Sequence, residues 1–142
     1  MWSARIVMAA RGYRFFSLKY TTDHEWVKYD AGTQTGTIGI TDYAQQQLGD
    51  VVHISLPKIN HSFKQKDVMS TIESVKVVSD IYAPISCTVT SVNQKTEKNP
   101  EIINQGAESD GWLFQVKVQN LKELDSLLDK SGYEKFLKES GH

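Results

Sequence analysis

Short runs of β-branched and aromatic residues recur from Trp26 to Val118, each closed within a few positions by Gly, Pro, Asn or Asp. This punctuation constrains the chain more than any other feature. The body of the chain therefore reads as mostly short strands joined by turns. Trp26–Tyr29 and Thr35–Ile40 read as two strands joined by a turn around Asp30, Ala31 and Gly32. Val51–Leu56 sets Val52, Ile54 and Leu56 against His53 and Ser55 before Pro57 ends it, which is the alternation of a strand with one buried face. Asp67–Ser74, Val77–Tyr82, Cys87–Val92 and Trp112–Val118 complete the strand set.

Helical signals are fewer. Thr41 or Asp42 caps a short helix that Gly49 stops after Leu48. Asn99 and Pro100 supply a cap and a first-turn proline for a helix through Ile103. Leu121, Leu124, Leu127 and Leu128 recur at helix spacing behind Asn120 as cap, with Glu123 three residues on. Ser131 and Glu134 repeat that capping pattern ahead of Tyr133, Phe136 and Leu137, and the leucines and aromatics read as core. The sum is an α+β domain, mainly β, built on a compact sandwich or barrel. Gly49–Val52 and Ser79–Tyr82 both place an acid before a branched strand, a weak echo that would follow from two equivalent strand sets.

At 142 residues, 39% apolar and 23% charged, the chain is one folded domain with a core of useful size. A net charge of −1 argues against nucleic acid as a partner. The longest apolar run, Ile6–Ala10, is far too short for a membrane-spanning helix. The charge is also uneven. Residues 1–16 hold Arg5, Arg11 and Arg14 and no acid, whereas 17–142 hold 13 basic and 17 acidic residues. Trp2, Ile6, Ala9, Tyr13 and Phe16 share one face of a helical wheel, and the segment has the composition of an organelle transit peptide. Arg14, Phe15, Phe16 and Ser17 resemble a mitochondrial processing site, with cleavage after Phe16 or as far on as about residue 19. Residues 20–142 then form the working domain.

Few residues offer chemistry. Strand formers lie on both sides of Lys76, with Ser74 and Ser79, then Glu73 and Asp80, placed about it. A chain reversal here puts Lys76 at the tip of a hairpin, projecting an amine from a rigid support. That geometry suits acylation by an enzyme that must grasp one lysine. Spacing alone leaves the alternative of an ordinary exposed lysine that discourages strand pairing. His24, His53, His61 and His142 show no metal spacing. His24 reads as a strand-start residue and His53 as solvent-facing. Cys87, the single cysteine, excludes an internal disulfide and fits a reducing compartment. It reads as a small packed hydrophobe, and the competing reading is a thiol nucleophile paired with a histidine. Gly36 and Gly39 make no phosphate loop; paired glycines in a strand mark bulges or close backbone approach.

The run ESVKVVSDIYAP, from Glu73 to Pro84, resembles the lipoylation segment of glycine cleavage system H proteins. So do Asp23–Val27, Gly39–Gln45, Leu48–Val52 with Leu56 and Pro57, Val92 with Asn93, Asn99 and Pro100 with Asn104, and Gly111 with Trp112. Order and spacing are shared from about Tyr20 to Leu137. The resemblance implies a lipoyl/biotinyl-type barrel-sandwich hybrid with short peripheral and C-terminal helices. It implies a non-catalytic carrier that bears (R)-lipoate as an amide on Lys76. The partners implied are glycine decarboxylase, which loads an aminomethyl group, aminomethyltransferase, which unloads it, dihydrolipoamide dehydrogenase, which reoxidises the dithiol, and lipoyl-attaching enzymes. The setting implied is the mitochondrial matrix. The alternative is a lipoyl relay that donates the group to 2-oxo-acid dehydrogenases. A biotin carrier is disfavoured, because valines rather than methionines flank Lys76.

A loaded arm needs a cleft that excludes water and a carboxylate for its ammonium. Glu25 and Asp80 are the candidates, and Glu73 is the candidate for recognition by a modifying enzyme or partner. The chain departs from the family at Ser86–Cys87, where Ser-Gly is usual, and in Gln105–Asp110, which lacks a usual Pro-Tyr-Gly. If that glycine served a positive φ, Cys87 would strain the turn.

Overall fold

A computed structural model describes residues 16–140. The strands are β1 (Phe16–Tyr20), β2 (Glu25–Asp30), β3 (Thr35–Ile40), β4 (Val51–Ser55), β5 (Ser62–Phe63), β6 (Val68–Ser74), β7 (Val78–Tyr82), β8 (Cys87–Val92) and β9 (Phe114–Val118). The helices are α1 (Asp42–Leu48), α2 (Gln94–Lys98), α3 (Glu101–Gln105), a 3-10 turn at Leu121–Ser126 and α4 (Lys130–Glu139). A six-stranded antiparallel sheet runs β1-β2-β3-β9-β8-β5, and a three-stranded antiparallel sheet runs β4-β6-β7. The fold is thus mainly β with short helices, as the sequence pattern predicts. The two sheets are not equal sets: Asp50 precedes β4, whereas Asp80 lies inside β7.

The turn chemistry explains the first hairpin. The Asp30 carboxylate accepts from the Gly32 N–H at 2.9 Å, and Gln34 takes a left-handed φ of 59°. That fixes the β2–β3 register, in which Val27 faces Ile38 and Trp26 faces Gly39. Gly39 is glycine because of close approach: a Cβ there would lie 2.7 Å from the Trp26 indole. The Trp26 N–H donates to the Ala107 carbonyl at 3.0 Å. Val27, Ile38, Ile54, Ile85, Val89 and Val116 are wholly buried in the core. Each such side chain contributes about 2 kcal/mol through burial.

Several elements differ from the sequence reading, each for a physical reason. In β4 it is Val51 and Ile54 that are buried, while Val52 is 49% exposed, because a bulge between Val51 and His53 shifts the register by one. His53 is exposed. The leucine-bearing segment after Asn120 is a 3-10 turn rather than an α-helix, with Leu121 exposed and Leu124 buried. Glu123 does not close a capping box. Its carboxylate accepts from the Ser86 N–H at 2.6 Å and the Ser86 hydroxyl at 2.9 Å, tying this turn to the start of β8. The cap of α4 is Asp129, which accepts from the Gly132 N–H at 2.7 Å, not Ser131. Tyr133 of α4 stacks on Tyr20 with ring centres 4.8 Å apart. Beside them, the Tyr20–Leu128 bridge closes the C-terminal segment over β1.

Cys87 is fully buried and its backbone is not in the left-handed region, so the strain expected of a cysteine at this position is absent. The transit-peptide reading falls on residues 1–16, of which only Phe16 lies among the described residues.

Candidate functional site

Lys76 occupies the tip of the β6–β7 hairpin, between Glu73, which pairs with Val78, and the start of β7. Two-residue hairpin loops favour positive φ, yet neither Val75 nor Lys76 has it. Ser74 supplies the missing closure. Its hydroxyl oxygen accepts from the Lys76 N–H at 3.2 Å and the Val77 N–H at 3.1 Å, and the Ser74 N–H donates to the Val77 carbonyl at 2.8 Å. The Val75 N–H donates to the Asp50 carbonyl at 3.0 Å, anchoring the tip to the corner after α1. Asn104 of α3 holds that corner: its amide donates to the Gly49 carbonyl at 2.8 Å and accepts from the Val51 N–H at 2.9 Å.

Gly49 has φ 78° and ψ −156°, a region open essentially to glycine alone. The stem of Lys76 lies across its bare Cα, with the Lys76 Cε 3.3 Å from where a Cβ would stand. The Lys76 side chain is exposed, and its amine makes no hydrogen bond or ion pair with any described residue. Val75, Val77 and Val78, which flank the lysine along the chain, are exposed as well. The sequence therefore builds a braced turn that holds an amine out to solvent. Such an amine can be acylated without disturbing a single bond of the fold.

Glu25 lies at the far end of β7 from Lys76, against Tyr82. At the start of β2 it is only 2% exposed, so it is no solvated surface acid. One oxygen accepts the Thr21 hydroxyl at 2.6 Å and the other accepts the Tyr82 N–H at 3.1 Å. β7 is an edge strand, and the carboxylate satisfies an N–H that has no ladder partner there. Glu25 opens onto a cleft of about 340 Å³ whose other walls are Thr21, Lys66, Tyr82, Pro84 and Leu127. Burial pushes its pKa up to about 7; the Thr21 and Tyr82 hydrogen bonds oppose the rise, Asp23 adds to it and Lys66 lowers it. Lys66 itself sits at φ 76°, a strained backbone for a non-glycine residue beside a cleft.

The strand β7 joins the two places. Val78, Asp80 and Tyr82 alternate onto one face, and Tyr82 ends against Glu25. Asp80 is exposed on this track, takes a long hydrogen bond from the Thr71 hydroxyl at 3.4 Å, and does not line the Glu25 cleft. Glu73 is exposed beside the tip, across from His53 on β4.

Other expectations resolve differently. His24 is not a strand residue: it turns the chain at φ 70°, with its Nδ1 2.8 Å from the Tyr133 hydroxyl. The Cys87 thiol is pushed up to about 12, chiefly by burial and further by Glu123, so it is no ready nucleophile. Thr21, Lys66 and Asn104 were not singled out as site residues by the sequence reading. Thr21 acts from the turn just before β2, whereas Lys66 and Asn104 reach the site from distant positions, a loop and the helix α3. Only Asn104, as part of a motif, carried any signal.

Comparison with known proteins places the fold in a family. The family profile for glycine cleavage H-protein matches residues 18–140. A glycine cleavage system H protein of Thermotoga maritima is 44% identical over 118 residues, covering 83% of this chain and 94% of the relative. A protein of Dictyostelium discoideum named probable glycine cleavage system H protein 1, mitochondrial, is 41% identical over 126 residues, covering 89% of this chain and 86% of its own length. The crystal structure of a glycine cleavage system H protein from Mycobacterium marinum superposes with a TM-score of 0.77 at 29% identity, covering 89% of this chain and 98% of that one.

Proposed function

This chain belongs to the glycine cleavage H-protein family, and we propose on that premise that it is the lipoyl-bearing shuttle of a glycine cleavage system, with Lys76 as the attachment site. It is a carrier subunit rather than a catalyst. The observation that carries the assignment is the braced hairpin tip, where Ser74, Asp50 and Gly49 support one exposed amine. When bound as an amide, (R)-lipoate supplies a dithiolane whose sulfur accepts an aminomethyl group and whose dithiol gives up electrons.

The chain's own residues do the rest. The tip displays the lysine to partner sites at high local concentration. Acylation also removes the one positive charge from a tip flanked by Asp50, Glu73 and Asp80. The modified tip is therefore anionic, which favours basic docking surfaces on partners and makes association salt-sensitive. Glu73, exposed three residues before Lys76, is the acid a modifying enzyme would read. The β7 track leads an arm from Lys76 towards the Glu25 cleft. There the buried carboxylate is placed to receive a primary ammonium, with Asp80 along the way. The partners in this reading are glycine decarboxylase, aminomethyltransferase, dihydrolipoamide dehydrogenase and the enzymes that attach lipoate.

Residues 1–16 act as a cleaved leader that directs the chain to the mitochondrial matrix. Support comes from their arginines and lack of acids, and from the relative named mitochondrial. Cleavage after Phe16 leaves Ser17–Tyr20 of β1 paired with Trp26–Tyr29, which favours that site over one near residue 19.

The test is reconstitution. Lipoylated protein should support glycine decarboxylation and carbon transfer with the three partner enzymes. The Lys76→Arg chain should not. Lipoyl transfer to a 2-oxo-acid dehydrogenase with no glycine decarboxylation would replace this reading with the relay.

A further inference from the structure

Resting on the carrier reading of the Glu25 cleft, we propose that Thr21 is a positioning residue whose hydroxyl holds Glu25 so that the carboxylate's remaining lone pairs face the cleft, ready for a primary ammonium. Thr21 Oγ1 accepts from the Asp23 N–H at 3.2 Å and from the Glu25 N–H at 3.1 Å. A hydroxyl has two acceptor lone pairs and one hydrogen. With both lone pairs engaged, the hydrogen is committed to Glu25 Oε1 at 2.6 Å. The threonine backbone is pinned as well: its N–H donates to the Glu25 carbonyl at 2.9 Å and its carbonyl accepts from the His24 N–H at 3.2 Å.

Glu25 Oε2 accepts the Tyr82 N–H from the neighbouring sheet. Each oxygen thus has one rigid donor, and the carboxyl group cannot rotate to spend both sides on the protein. What is left of its acceptor capacity opens onto the cleft, which Glu25, Thr21 and Lys66 line. The donors also decide the charge of the group. Burial raises its pKa to about 7, and the Thr21 bond is the largest opposing influence; Asp23 on the same loop raises it and Lys66 from the loop before β6 lowers it. Tyr20 and Tyr82 are the other titratable groups in the cleft wall. Without the Thr21 hydroxyl, Glu25 stays protonated to higher pH and presents an O–H where an ammonium needs an acceptor.

The experiment labels the glutamate carboxyl carbon with carbon-13 and follows Glu25 by NMR against pH in the unlipoylated chain, comparing wild type, Thr21→Val and Thr21→Ser. Wild type should titrate near 7. Thr21→Val should titrate about one unit higher, which leaves about threefold less carboxylate at about pH 7.5. Thr21→Ser should return to the wild-type midpoint. In aminomethyl-loaded protein, release of the amine should be severalfold faster in Thr21→Val and in Glu25→Gln, and near wild type in Thr21→Ser. An unmoved midpoint in Thr21→Val overturns the proposal. Should that variant not fold, Thr21→Cys, a far weaker donor, must show the same upward shift. If Glu25→Gln releases the amine no faster than wild type, the cleft reading itself fails and the proposal falls with it. If only Thr21→Val is unchanged, the cleft reading stands and Thr21 is dismissed.

Discussion

Replacing Glu25 by Gln tests how the cleft is built, because it removes the ionisation and keeps the shape. Burial moves the carboxyl from 4.5 to about 7. At 1.36 kcal/mol per pKa unit, that difference corresponds to about 3 kcal/mol. The folded pKa lies above the unfolded one, so between them the native state binds more protons than the unfolded state. The stability contributed by neutral Glu25 is complete below about pH 4.5 and is lost as pH rises through about 7. Gln cannot ionise and keeps its stability across this range. It pays once, about 1 kcal/mol, because the Thr21 hydroxyl and the Tyr82 N–H both need acceptors and an amide offers only one oxygen. Glu25→Gln should therefore be about as stable as wild type near pH 5, where ionisation in the unfolded state already offsets the lost acceptor, and about 2 kcal/mol more stable near pH 8. Urea denaturation of the unlipoylated proteins at both pH values, with equal slopes, gives the comparison. Every other group titrates in both chains and cancels. Parallel stability curves would show that Glu25 is ionised throughout, and would refute the account of the cleft as a dry seat whose carboxylate is costly until a cation arrives.

Three further outcomes follow from local geometry. Ser74→Ala removes the acceptor for the Lys76 and Val77 N–H groups; the Val77 amide should exchange with solvent about fivefold faster, a loss of about 1 kcal/mol, and lipoylation should slow, with Ser74→Thr restoring both. Gly39→Ala sets a Cβ 2.7 Å from the Trp26 indole and should cost about 1–3 kcal/mol in urea denaturation, with altered tryptophan emission. The Cys87 thiol, buried and pushed up to about 12, should resist thiol reagents in the native state and react only on unfolding.

The parts of this fold legible in the sequence are those where local chemistry and tertiary packing agree. Thr35–Ile40 and Cys87–Val92 have strand-forming side chains and lie where the propensity places them. Thr41 and Gly49 bracket α1 as cap and stop, because the hydroxyl accepts from the Ala44 N–H and the glycine supplies φ 78°. Phe16–Tyr20 carries too little alternation to announce itself; it is a strand because β2 offers it an edge. Ser62–Phe63 is likewise held only by β8. Gln94–Lys98 has no apolar face, and its one wholly buried member is Thr96. The Val52 bulge is invisible to a period-two reading, since one added residue moves the valine to the other face. Lys76 was legible because a hairpin tip is a local object. The setting of Glu25 was not, because its walls come from residues 20–23, 65–66, 82–84 and 126–128.

The central claim is that Lys76 is the acylated handle. Intact-mass analysis with peptide mapping, on protein purified from lipoate-competent cells, measures it directly. A lipoyl increment confined to the Lys76 peptide, lost in Lys76→Arg, on a chain beginning near Ser17, is the expected result. A bare Lys76, or an increment that persists in Lys76→Arg, would contradict it.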